Sequence, residues 1–122
     1  MKKIYLILFF MTIAIGIYAQ SGTYTANGVT WKYKLEGSPL TATITGETIG
    51  KDNFTGVLNI PTNIEHGGNS YSVTKIGDYA FENYEQATGL VLPVGIKIIG
   101  TYSFYRCGGV RGALNIPNGV TE

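Results

Sequence analysis

Apolar positions along the chain fall into three regimes. From Ile4 to Ile17 they form an almost unbroken run behind Lys2 and Lys3. Further on they alternate with polar residues, in Val29-Thr30-Trp31-Lys32-Tyr33-Lys34-Leu35 and again in Leu40-Thr41-Ala42-Thr43-Ile44-Thr45. Strict alternation is the period of a half-buried strand, and the intervening Glu36-Gly37-Ser38-Pro39 is a turn, so this stretch predicts a β-hairpin. In the second half the apolar residues follow neither a helical nor a simple strand period. They recur as a block.

Ile76-Gly77-Asp78-Tyr79-Ala80-Phe81 returns 23 residues later as Ile99-Gly100-Thr101-Tyr102-Ser103-Phe104, with four of six positions identical. At the same offset Tyr84 aligns with Cys107 and Ala87 with Val110. Leu90-Val91-Leu92-Pro93-Val94-Gly95-Ile96 corresponds to Leu114-Asn115-Ile116-Pro117-Asn118-Gly119-Val120 at an offset of 24, and an earlier copy is Leu58-Asn59-Ile60-Pro61-Thr62-Asn63-Ile64. From Pro61 to Pro93 is 32 residues, nine more than the 23-residue offset, and the inserted length falls in the stretch from Ile64 to Val73. Gly67-Gly68-Asn69-Ser70 marks that insertion as a turn.

Each part of the block has a physical reading. Leu-x-Leu-Pro and Leu-x-Ile-Pro put two apolar residues on one face of a short strand that proline ends. Ile-x-x-Ile-Gly supplies a second apolar edge, and Ala/Ser-Phe predicts a helical or 3₁₀ turn that buries Phe81 or Phe104. A single unit cannot bury such a face, whereas stacked units cover one another in a continuous column. The expected fold is a mainly β repeat solenoid of short strands and 3₁₀ or helical turns.

The combination Ile-Gly-x-Tyr-Ala-Phe, then Cys or its substitute, then Leu-x-Ile-Pro-x-x-Val resembles the BspA-type leucine-rich repeat of bacterial surface proteins. The resemblance covers roughly residues 52–122, and the stretch from Ala26 to Thr74 looks like the region that leads into such repeats. Tyr84 stands where Cys is common in that family, Ala87 where Leu is common and Ser103 where Ala is common. The resemblance implies adhesion to, or recognition of, host proteins, matrix proteins or neighbouring cells.

Three segments follow: residues 1–19 as an export signal, 20–51 as an N-terminal β-hairpin cap over the first apolar layer, and 52–122 as the repeat solenoid, incomplete at its C-terminus. The signal reading rests on Lys2 and Lys3, the apolar run, and Tyr18-Ala19-Gln20 as a cleavage site after Ala19. The run is shorter than the roughly 20 residues a spanning helix needs, so the membrane is met only through this segment before cleavage. No cysteine lies near the site to carry a lipid. Val120-Thr121-Glu122 stops where the next Ile-Gly is due, which suggests a fragment or truncated product. The alternative is a last layer covered by a partner or by a second copy, with self-association as the consequence.

Composition agrees with turn-rich β structure: 17 glycines, 14% charged residues, and 9 tyrosines with 5 phenylalanines and one tryptophan. Without Lys2 and Lys3, seven basic and eight acidic residues give a net charge of −1, and none of the basic residues cluster. The footprint of nucleic-acid binding is missing. Cys107 is the single cysteine, so no internal disulfide forms and packing alone holds the fold.

Candidate chemistry is sparse. Cys107 and the lone His66 formally allow a Cys–His pair, but Cys107 shares the repeat position of Tyr84 and reads as a stacking residue. Asp78, Glu82 and Glu85 fall on one turn segment, yet the next copy has Thr101, Tyr105 and Gly108 there, which reads as a solvated face and not a calcium site. No cofactor is implied, and no constellation supports an enzyme. Surface is what remains. With Leu90 and Leu92 inward, the strip of Val57, Asn59, Val91, Ala113 and Asn115 faces outward, smooth enough to dock an extracellular protein or glycan. Tyr79 and Tyr102 recur at one repeat position as an aromatic row. The expected function is an exported, cell-surface or secreted binding module. A structural spacer or accessory domain of a larger exported protein or enzyme is the alternative. The signal reading predicts that protein recovered after export begins at Gln20 by N-terminal sequencing; a chain that retains Met1 to Ala19 contradicts it.

Overall fold

The alternating run from Val29 becomes a strand with Val29, Trp31, Tyr33 and Leu35 turned into the core. The computed structural model describes residues 20–122; the expected export signal, 1–19, lies outside the described residues. The strands are β1 (Gln20–Ala26), β2 (Val29–Glu36), β3 (Thr41–Glu47), β4 (Gly56–Asn59), β5 (Asn63–His66), β6 (Asn69–Ile76), β7 (Ala87–Val91) and β8 (Ile98–Ile99). One sheet has the order β1-β2-β3-β6-β5 with β8 also beside β6, and a second pairs β4 with β7.

β2 and β3 form the expected antiparallel hairpin, but β1 adds a strand in front of it. Asn27 and Gly28, at φ 55° and 76°, make the two-residue turn that joins β1 to β2. Asn-Gly is the commonest signal for that turn because both positions require positive φ. The insertion after Pro61 closes in the same way: β5 and β6 pair antiparallel around Gly67 and Gly68, at φ 58° and 82°.

β3 does more than cap. It pairs in parallel with β6, and β6 pairs in parallel with β8, so that Ile44, Ile76 and Ile99 stand in register. The second strand of the hairpin is therefore the first rung of the coil stack. Gly77 donates its N–H to the Ile44 carbonyl and Gly100 donates to the Ile76 carbonyl, both at 2.8 Å. A Cβ on Gly100 would lie 2.6 Å from the Asp78 nitrogen and 2.7 Å from the Gly77 carbonyl carbon. The glycine of the Ile-Gly pair is needed because the preceding coil's backbone passes directly against it.

The segment after Ile-Gly, expected as a helical or 3₁₀ turn, forms no helix and keeps the three-residue spacing of 3₁₀ bonds only at alternate residues. Ala80, Glu82 and Tyr84 donate locally to the carbonyls of Gly77, Tyr79 and Phe81, at 3.2, 3.3 and 3.4 Å. The intervening Tyr79, Phe81 and Asn83 donate to Thr101, Ser103 and Tyr105 in the next coil, at 2.9, 2.8 and 2.7 Å. A helix aims every N–H along its own axis and has none to give sideways. Positive φ at Tyr79 and Asn83 (58° and 63°), and at Tyr102 and Arg106 (52° and 58°), breaks the helix and lets the donors alternate. Every second amide becomes a rung between coils.

The same alternation organises the core, which is one cluster from Val29 to Ile96. Phe81 is fully buried and sits at its centre. Trp31 of β2 meets it edge-on at 6.1 Å, and Phe104 stacks on it at 5.6 Å with an 11° interplanar angle. Tyr84 completes the group at 5.4 Å. Its hydroxyl donates to the buried Glu47 carboxylate at 2.6 Å, and that carboxylate also accepts the N–H groups of Ile49 and Gly50. Burial first, then the bond to Glu47, pushes the Tyr84 phenol well above its ordinary pKa. It stays a neutral donor. The acceptors of Glu47 are thereby satisfied where β3 turns into the first coil.

The third Leu-x-Ile-Pro copy differs from its expected strand. Leu114 and Ile116 are 47% and 53% exposed, and residues 113–116 form no ladder, having a neighbouring coil on one side only among the described residues. Close coil approach at the Ile-Gly pair predicts that Gly100→Ala lowers stability by about 1–3 kcal/mol through overpacking. Gly108→Ala, where the added Cβ meets nothing within 4 Å, is expected to change it by less than about 0.5 kcal/mol. Equal denaturation midpoints for the two variants contradict the coil packing.

Candidate functional site: the outer strip and its hollows

Strand pleating sets which side chains face out. In β4 Leu58 points inward with no exposure, leaving Val57 and Asn59 outside. β7 lies beside β4 in parallel register, Val57 against Gly89 and Asn59 against Val91. A Cβ on Gly89 would come within 3.2 Å of Val57 Cγ2, so the small residue accommodates its larger neighbour. Val57 and Val91 remain 48% and 49% exposed. Ala113 and Asn115 are exposed on the next pass, although no strand carries them. These five residues lie along one side of the protein.

Three hollows run along that side. The first, about 440 Å³, includes Asn59 and Val91 in its lining. A second of about 160 Å³ is lined by Val91, Ala113 and Asn115. The third, about 370 Å³, adjoins Asn115, Ile116 and Pro117. Val91 borders the first two and Asn115 the last two, so the three hollows are neighbours along the strip.

The 440 Å³ hollow has parts that the repeat pattern did not supply. Tyr24 and Asn27 reach it from β1 and its turn, and Glu65 and Ser70 from the β5–β6 hairpin. The Asn27 amide donates to the Asn59 carbonyl at 2.9 Å and fixes this rim. Only the Asn27-Gly28 turn signal pointed to a strand there.

Tyr79 and Tyr102 stand on the turn segment, not on the strip. They are 53% and 57% exposed with rings 5.7 Å apart, and Tyr105 extends the row at 5.1 Å from Tyr102. The Arg106 guanidinium lies 5.5 Å from the Tyr105 ring centre. The sequence repeat pointed to the first two rings; Tyr105 and Arg106 lie outside the matching hexamer.

The remaining reactive groups are engaged in structure. Cys107 Sγ donates to the Phe81 carbonyl at 3.2 Å, and burial pushes its thiol pKa up. His66 Nδ1 is hydrogen-bonded to the Tyr33 hydroxyl at 2.6 Å. Each is held in a different element. Asp78 accepts the Thr101 N–H at 2.8 Å and serves as another rung between coils. No group of three or more metal-ligating side chains occurs among the described residues.

Comparison with known proteins places these features in a family. The family model described as BspA type leucine rich repeat region (6 copies) matches residues 33–122. The match begins at Tyr33 inside β2, consistent with β3 being a rung of the stack. Among solved structures, the chain is similar to a leucine rich cell surface protein from Faecalibacterium prausnitzii A2-165, at 32% identity and a TM-score of 0.57, over 75% of this chain and 23% of that one. It is also similar to a leucine-rich repeat protein from Bacteroides ovatus ATCC 8483, at 26% identity and a TM-score of 0.65, over 80% and 24% of the two chains. A third, from Bacteroides capillosus ATCC 29799, gives 26% identity and a TM-score of 0.53 over 72% and 61%. The chain thus spans about a quarter of the length of the first two. No curated protein matches it. With the rungs, the stacked phenylalanines and the matched repeats in agreement, the chain belongs to the BspA-type leucine-rich-repeat family.

Proposed function

We propose that this protein is an exported surface module that binds extracellular macromolecules through the strip of Val57, Asn59, Val91, Ala113 and Asn115. The observation that carries this reading is the row of neighbouring hollows along that strip, with Val91 bordering two of them and Asn115 bordering two. Valines exposed by half on a sheet otherwise lined by small and amide side chains offer apolar contact without a barrier of charge. Paired strands hold Val57, Asn59 and Val91 in place before a partner arrives, which lowers the entropy cost of association. The similarity to a protein described as a leucine rich cell surface protein supports a location at the cell exterior. The tyrosine row is a second contact area on a different side. The alternative role is a spacer within a longer exported protein.

Recognition of this kind needs no reacting group, and the engaged states of Cys107 and His66 support a binding role over catalysis. A direct test measures adhesion of the exported protein to immobilised collagen, laminin and fibronectin and to intact bacterial cells. The variant Asn59→Lys with Val91→Lys and Asn115→Lys changes only exposed positions. It is expected to bind at least about tenfold more weakly, since charge placed in an interface costs more than 1.4 kcal/mol, while its melting temperature stays unchanged. Undiminished binding by the triple variant, or no binding by the parent, contradicts the reading.

A further inference from the structure

We infer that the 440 Å³ hollow between the β1–β2 turn and the β5–β6 hairpin is a subsite for a neutral saccharide. This deepens the proposed function and rests on it, because Asn59 and Val91 belong to both strip and hollow.

The volume falls within the roughly 300–1,000 Å³ of small-molecule sites. What the walls present narrows the ligand. Ile60 and Pro61 contribute to the lining but are buried, so the apolar surface offered is the half-exposed Val91 and the Tyr24 ring, beside a larger share of polar groups. No Lys or Arg lines the hollow and Glu65 does, which disfavours phosphate, sulfate or acidic sugars. Glu65 and Ser70 are exposed, and neither side chain has an ion pair or hydrogen bond among the described residues. The Asn59 side chain is likewise exposed, and only its backbone carbonyl is engaged, by Asn27. A carboxylate, an amide and a hydroxyl are thus available together. They supply acceptors for several hydroxyl donors and a donor for hydroxyl oxygen.

The remaining wall is Tyr24. Its half-buried ring packs against the core and also borders the hollow. An aromatic face bordered by acceptors and amides suits a pyranose, which has a C–H face on one side and hydroxyls around its rim. The three contributing elements are tied down. The Asn27 amide holds the turn to the Asn59 carbonyl, and the hairpin is anchored through His66 and Tyr33. The hollow is therefore formed before a ligand enters.

The test is titration of the exported, isotope-labelled protein with glucose, galactose, mannose, N-acetylglucosamine and lactose, with sialic acid as an acidic comparison, followed by amide chemical shifts. At least one neutral sugar is expected to shift amides around Tyr24, Asn59 and Glu65 to Ser70, leaving those of the tyrosine row in place. Glu65→Gln, a surface change that leaves the fold intact, is expected to weaken that sugar about tenfold, and Tyr24→Ala by at least as much. Sialic acid is expected to bind more weakly than the neutral sugars. The inference is overturned by the absence of shifts with every neutral sugar at tens of millimolar, by shifts centred elsewhere, or by affinity unchanged in Glu65→Gln. If matrix or cell adhesion is lost on changing Asn59, Val91 and Asn115 while no sugar shifts any amide, the saccharide subsite falls and the interaction strip stands. Sugar shifts at the hollow in a protein with no adhesion leave the subsite standing and remove the wider reading.

Discussion

Phe81 lies between the edge of Trp31 and the face of Phe104, and most of the architecture follows from keeping it there. A coil of two dozen residues has too little interior to exclude water by itself. Its apolar residues are buried only if another layer sits against them, and Phe81 touches a layer on either side. From β2 comes an indole whose nitrogen is already occupied by the Ala26 carbonyl at 2.9 Å. From the following coil comes an equivalent phenylalanine in parallel stack. Such aromatic pairs add about 0.5–1.5 kcal/mol each beyond the area they bury. Their larger effect here is to set the spacing between layers.

That spacing constrains the backbone. Donors in the turn segment must alternate between the local turn and the next coil, which requires positive φ at Tyr79 and Asn83 and excludes a helix. It also requires a residue without Cβ at Gly100. Outward side chains are freed from these demands. Val57, Asn59 and Val91 are held by strands whose opposite faces are fixed in the core, so a binding surface arises without a flexible loop. The departure from regular coils is the β5–β6 hairpin. It projects beside the β1–β2 turn and encloses a polar hollow at the end of an otherwise shallow strip.

What the amino-acid order disclosed was whatever repeats. Phe81 and Phe104 share a position and do stack; Ile76 and Ile99 share one and stand in register. The inward Leu58 and outward Val57 and Val91 followed from strand alternation. Features occurring once were harder to read. β1 is faint in the sequence because only Tyr24 and Ala26 carry its alternation, although Asn27-Gly28 marks its end. Ala-Phe with flanking polar residues looks helical in one dimension, since the sideways amide bonds that forbid a helix exist only once the coils are stacked. Ile44 gave no hint of joining Ile76 and Ile99, because β3 reaches the stack through a hairpin and not through the repeat spacing. Tyr24 and Glu65 line one hollow only through tertiary structure, so no spacing could announce it.

Cap and coils form one cooperative unit with a shared core. Native-state amide hydrogen exchange measures this most directly, because it reports the opening of each backbone hydrogen bond separately. The predicted result is that Tyr79, Phe81 and Asn83, the donors between coils, exchange in the same slow class as the buried amides of β2 and β3. If those three exchanged near the unprotected rate while β2 and β3 stayed protected, the coils would be opening independently of the hairpin, and the stacked core described here would not hold.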